Sequence, residues 1–173
     1  MFKRIKRLWG RNKRQERRWK KEFYEEVKDL TRHPVVLRMK LYPHHGVTSC
    51  YAHCLSVAYQ NYKWSRILRL DARAAARGAM LHDLFLYDWH ECRAKTGNPV
   101  HGLTHPESAY KNARKFFRLG RKEKDVIRTH MWPLTLWRIP ETKEGWLTVI
   151  TDKYCGALET CKRKEKRKRV KGR

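Results

Sequence analysis

Apolar positions recur at helical spacing through nearly every long stretch of this chain, and strand-like alternation is absent. Phe2, Ile5, Leu8 and Trp9 form a narrow stripe near the start, and Trp19, Phe23, Val27 and Leu30 continue the period. Together they predict a long, mostly polar helix over residues 2–31. His33-Pro34 ends it, because the residue before proline avoids the helical region. Val35 to Tyr42 reads as a short extended piece. Thr48 or Ser49 is placed to cap a helix reaching about Tyr62, and Asp71 to Leu81 reads as a helix almost without side-chain bulk. Small residues there let neighbouring helices approach closely. Propensity explains the alanines but not Gly78.

Residues 84–104 contain Gly-Asn-Pro and read as a loop. A loop of that length in one domain suits a lid or a poorly ordered segment. Pro106 then reads as the first position of a helix capped by His105, ending near Gly120. Lys122 to Thr129 forms a short helix. A last one runs from about Lys143 to Glu159, with Trp146, Val149, Ile150, Tyr154 and Ala157 as its apolar, buried face. The expected fold is therefore all-α, a helical bundle of five to seven helices.

Charge changes this picture at the ends. Of the net charge of +25, residues 1–21 hold eleven Lys and Arg against one Glu, and residues 162–173 hold nine against one. Three regions follow: a basic helical arm over 1–34, a body over 35–160 and a basic tail over 161–173. Such ends suit contact with RNA, DNA or anionic lipid. No run of about 18 apolar residues exists, so no transmembrane segment is expected, and the start does not resemble a secretory signal. The five cysteines lack a Cys-x-x-Cys pair and read as buried, reduced thiols of a cytoplasmic protein.

Chemistry enters at His82-Asp83, where the small-residue helix ends. An imidazole nitrogen beside a carboxylate oxygen is a pair suited to a divalent metal, but two groups do not suffice for a catalytic site. His53 should face inward, with Val57 one turn beyond it and Ser49 one turn before. Asp152 interrupts the apolar run of the last helix, and a carboxylate among core residues is costly unless paired or metal-bound. His105 and His130 lie between.

The pieces His53-x-x-x-Val57-Ala58, MLHDLFLYDWH, HGLTHPE, RTHMWPLT and TDK, in that order, resemble the HD phosphohydrolase superfamily, especially its small bacterial members. The resemblance covers roughly residues 44–160. It implies an HD-domain-like bundle with a metal site between helices. His53, His82, Asp83 and Asp152 match the ligands of one metal, and His105 and His130 match the extra histidines of members that hold a second.

A set of nitrogen and oxygen donors suits Mn, Fe, Co, Ni or Zn. Such an ion lowers the pKa of bound water and polarises a phosphoryl oxygen. The expected activity is metal-dependent hydrolysis of a phosphate monoester or diester, with a phosphorylated small molecule, in particular a nucleotide, as substrate. Asp83 would act at the metal, Lys153 would hold phosphate charge, and Asp88, with His90 beside it, is a candidate proton donor to the leaving group. Two other readings stand: a nucleic-acid-binding protein on an HD-like scaffold, and a membrane-surface adaptor using residues 1–18.

Overall fold

The computed structural model describes residues 13–44, 48–87 and 101–171. These form seven α-helices and a 3-10 turn: α1 (Lys13–Thr31), α2 (Pro34–Leu37), the turn Arg38–Leu41, α3 (Cys50–Leu68), α4 (Ala72–Leu81), α5 (His101–Phe116), α6 (Arg121–Thr129) and α7 (Lys143–Lys171). Among the described residues the only β-type pairing is an isolated bridge between Pro43 and Ser49. The all-helical expectation holds. Residues 1–12 and the Asp88 and His90 positions lie outside the described residues.

Helix α4 is the centre, packed by α3, α1, α6 and α7. Its lack of bulk makes this feasible. A Cβ on Gly78 would stand 2.8 Å from two side-chain carbons of Val126 and 3.2 Å from Glu123 Cα. Only hydrogen fits between α4 and α6 there, which explains the glycine that propensity could not. Arg77, one residue earlier, ties three helices together. Its guanidinium donates to both Asp29 oxygens on α1 at 2.6 and 2.8 Å and to Glu123 on α6 at 3.0 Å. A planar fork with several donors suits such a buried junction better than an ammonium would.

Trp19, Phe23, Val27 and Leu30 bury the later stripe of α1 in the core. Ser49 caps α3 by accepting from Ala52 N, and Asp71 caps α4 by accepting from Ala74 N, so both predicted starts are found. Helix α3 runs on to Leu68, past the expected end at Tyr62, and closes on Arg69 in the left-handed region at φ 57°.

Three expectations are corrected. Val35 to Tyr42 is not extended: His33 Nδ1 accepts from Val35 N, Pro34 occupies the first helical position, and a turn of α-helix runs into the 3-10 turn. The proline that ended one helix starts the next. Helix α5 begins at His101, not at Pro106, which sits inside it. Proline removes the amide that would bond to the Gly102 carbonyl, and a Cβ on Gly102 would stand 3.0 Å from Leu134 Cδ2. The third concerns α7. Of the expected buried face only Val149 lies in the interior; Trp146, Ile150, Tyr154 and Ala157 are exposed.

Candidate metal centre

Helices α3, α4, α5 and α7, with the residue after α6, deliver imidazoles and carboxylates to one buried cluster. His53 comes from α3, His82-Asp83 from the end of α4, His105 from α5 and His130 from the end of α6. Asp152 comes from α7. His53, His82, Asp83, His105 and His130 are all buried, and Asp152 is nearly so.

The rings are oriented from behind. His82 Nδ1–H donates to the Ala79 carbonyl at 2.7 Å, and His130 Nδ1–H donates to the Ile127 carbonyl at 2.9 Å. Each bond spans three residues at a helix end, where carbonyls lack amide partners. His53 Nδ1–H instead donates to Glu159 of α7, 3.2 Å from either oxygen. All three imidazoles therefore turn Nε2 inward, the arrangement in which a metal-binding histidine has its other nitrogen held by a carbonyl or carboxylate.

What those nitrogens meet is carboxylate. His53 Nε2 is 2.9 Å from Asp152 Oδ1, and His82 Nε2 is 3.6 Å from the same oxygen and 3.4 Å from Asp83 Oδ2. His105 and His130 approach Asp83 Oδ1 at 3.2 and 3.5 Å. Asp83 thus stands between two groups of imidazoles. Donor atoms of His53, His82 and Asp152 lie within 4.8 Å of one another, and so do those of His82, Asp83 and His130. His82 Nε2 and Asp83 Oδ1 are buried without a hydrogen bond of proper geometry. Buried polar atoms left this way are rare and require explanation. A cation accepting their lone pairs would supply it, and mixed nitrogen and oxygen donors suit a divalent transition metal.

Electrostatics describes the same cluster. Burial opposes charge on His53, yet hydrogen bonds to Asp152 and Glu159 prevail and push it up to about 9. Burial likewise opposes charge on His82, but Asp83 and Asp152 hold it well above the ordinary range. Burial would raise Asp83, while positive His82 and the imidazoles of His105, His130 and His44 hold it well below the usual carboxylate range. Asp152 is also held low, against burial, by His53 and His82. His130 is different: burial dominates and lowers it to about 4. It is a neutral ring whose Nε2 accepts from His105 Nε2–H at 2.9 Å.

Two members escaped sequence reasoning. His44 reaches Asp83 Oδ2 at 2.8 Å and stacks on the His53 ring, centroids 4.1 Å apart. It precedes α3 in a segment with no period, where its amide donates to Thr48 O at 2.8 Å. No local pattern marks it. Glu159 could have been found, since it lies seven residues after Asp152 and shares its helix face.

Lys153 stands at the edge of the cluster. Its Nζ donates to the His130 carbonyl at 3.3 Å, and burial lowers its pKa. The thiols lie behind the ligands: Cys50 Sγ donates to the Asp83 carbonyl at 3.3 Å, and Cys54 Sγ is 3.6 Å from His82 Nδ1. Cys50, Cys54 and Cys155 are free and buried, as expected, whereas Cys161 is exposed.

No family model matches the chain, and neither the curated proteins nor the solved structures searched contain a match. The residues themselves must carry the functional reading.

Proposed function

We propose that the cluster binds one or two divalent cations and that the protein is a metal-dependent phosphohydrolase of the HD type. The observation that carries this is the orientation of His53, His82 and His130. Their Nδ1–H groups are fixed from behind, and their Nε2 atoms point at two carboxylates. A structural core has little reason to collect so many titratable groups, because each is costly to bury unless something balances it. His53, His82, Asp83 and Asp152 would hold one ion, with Asp83 shared toward His105 and His130 for a second.

When bound, such an ion supplies water activation and Lewis acidity toward a phosphoryl oxygen. The protein contributes the fixed rings, the two carboxylates and the cation of Lys153 at the rim. The reaction class is hydrolysis of a phosphate monoester or diester, with a nucleotide as the substrate favoured by the family resemblance. Metal analysis of the purified chain, followed by a phosphatase and nucleotidase panel with Mn, Co, Ni and Zn, tests this. Stoichiometric metal and metal-dependent release of phosphate are expected. A chain that binds none of these ions in equilibrium dialysis would overturn the reading.

A further inference from the structure

Helix α7 is apolar on both sides. Its inner face mixes buried Leu147, Val149 and Cys155 with Thr148, Thr151, Asp152 and Glu159, which are directed into the protein. Its outer face carries Trp146, Ile150, Tyr154 and Leu158, all exposed, Ile150 to 65%. At about 100° per residue these four centre roughly 180° from Asp152. A solvated surface helix normally turns a polar face outward, not a second apolar stripe.

The patch extends beyond the helix. The segment after α6 leaves Leu134, Leu136, Trp137 and Ile139 exposed, with Leu136 at 68% and Trp137 at 67%. It is fastened to α7 by the Trp132–Trp146 edge contact, with centroids 4.7 Å apart, and by the Lys153 bond to His130. Trp137 and Ile139 also wall a cavity of about 280 Å³ lined by Arg121, Lys124, Arg128 and Arg138, of which Arg128 and Arg138 pair with Glu107 at 3.2 and 2.8 Å and Arg121 with Glu141 at 3.5 Å. At its far end α7 runs on through residues 162–171, which contain eight Lys and Arg and one Glu.

We infer that this face docks on an anionic lipid bilayer, lying in the interface with the basic end of α7 toward the headgroup phosphates. Charge complementarity selects that occupant. A second copy would bring another +25 against the first and repel it. Single-stranded nucleic acid rewards aromatic rings beside cations, but Leu134, Leu136, Ile139, Ile150 and Leu158 offer bases nothing to stack on. Aliphatic side chains with Trp and Tyr among them, edged by Lys and Arg, suit the headgroup and acyl boundary. Both components are needed, since cations near an anionic leaflet add roughly fivefold each to binding, and the apolar side chains supply the insertion.

Vesicle flotation of the full chain tests the proposal, using phosphatidylcholine alone and phosphatidylcholine with phosphatidylglycerol, beside two variants. One carries Leu136→Ser with Trp137→Ser, and the other Ile150→Ser with Leu158→Ser. These side chains are exposed, so thermal melts should match the wild type. Binding is expected only to the anionic vesicles, weakened roughly tenfold or more in each variant. Tryptophan quenching by brominated acyl chains should fall with it. Four results would overturn the proposal. The wild type does not float. The variants bind as tightly as wild type, which leaves the contact to the basic tail alone. The variants instead lose self-association in sedimentation, which makes the occupant a second copy. Or single-stranded RNA binds the wild type and the variants lose it, which makes the face an RNA surface.

Discussion

Loading the cluster with a divalent cation should expel protons. In the metal-free chain His53 is pushed up to about 9, with Asp152 on Nε2 and Glu159 on Nδ1 overcoming its burial. At about pH 7 such a ring is about 99% protonated, and its Nε2 proton occupies the lone pair a metal requires. Two pH units of competition weaken the apparent affinity about 100-fold, or about 2.7 kcal/mol. His82, also held high by Asp83 and Asp152, adds a second proton. Affinity should therefore rise at least tenfold per pH unit from about 7 to about 9, then level off as His53 loses its proton unaided. Isothermal titration with Zn or Mn in buffers of different ionisation enthalpy counts the released protons, between one and two. The same raised pKa stabilises the metal-free fold. That contribution is full below about 6.5, the unfolded value, and is lost as pH rises through about 9. It amounts to roughly 3 kcal/mol at most, visible as a falling metal-free melting temperature over that window. Zero proton release, with affinity flat across this range, would refute the charge assignment.

Asp83→Ala should remove stoichiometric metal and any metal-dependent turnover. It should also lower the metal-free melting temperature by the equivalent of about 2–3 kcal/mol, because the carboxylate is the counterion of buried His82. Unchanged metal content by dialysis would contradict its role as a ligand. Glu159→Gln keeps an acceptor for His53 Nδ1–H but loses the charge, so metal affinity above about pH 9, where protons no longer compete, should drop roughly tenfold with little change in secondary structure. An isotherm matching wild type would leave Glu159 with no orienting role. Gly78→Ala places a methyl against Val126 and should cost about 1–3 kcal/mol in chemical denaturation; a neutral or stabilising result would mean α4 and α6 can separate freely.

Much of this was legible, and for definite reasons. A cap announces itself by residue type, so Thr48-Ser49 marked the start of α3, and Asp71, read as the first residue of α4, proves to be its cap. His53 and Asp152 were recognisable because each breaks an apolar period, and a break in a period shows where a side chain points. His44 had no period to break and is placed by the Pro43–Ser49 bridge, which no local signal announces. Pro106 misled for another reason: proline is best tolerated in the first turn, and inside α5 it follows a glycine four residues earlier. Asp83 and Asp152 are separated by imidazoles, so removing Asp83 loses an attraction and relieves no repulsion.

Helix α7 shows why periodicity alone was insufficient. Its apolar residues recur as a helix requires, and a period identifies a face without saying whether that face points inward. The inner face was decided by satisfaction of polar groups. Thr148 Oγ1 donates to the Glu144 carbonyl, and Thr151 Oγ1 donates to the Leu147 carbonyl. Asn61 of α3 donates from Nδ2 to the Thr151 hydroxyl at 2.7 Å, and its Oδ1, 3.1 Å from Thr148 Oγ1, shares that hydroxyl's one hydrogen with the Glu144 carbonyl. Asp152 and Glu159 share His53 between them. Every polar group on that face has a partner, so burying it costs little, whereas burying Trp146 and Ile150 instead would have set Asp152 and Glu159 outward and dismantled the cluster. The site thus requires the Trp146, Ile150, Tyr154 and Leu158 stripe of α7 to face out, and exposed Trp137 and Leu136 continue it across the neighbouring segment. An apolar surface of this extent is unfavourable in water by itself. The orientation that completes the cluster is therefore the one that creates a surface in need of a partner.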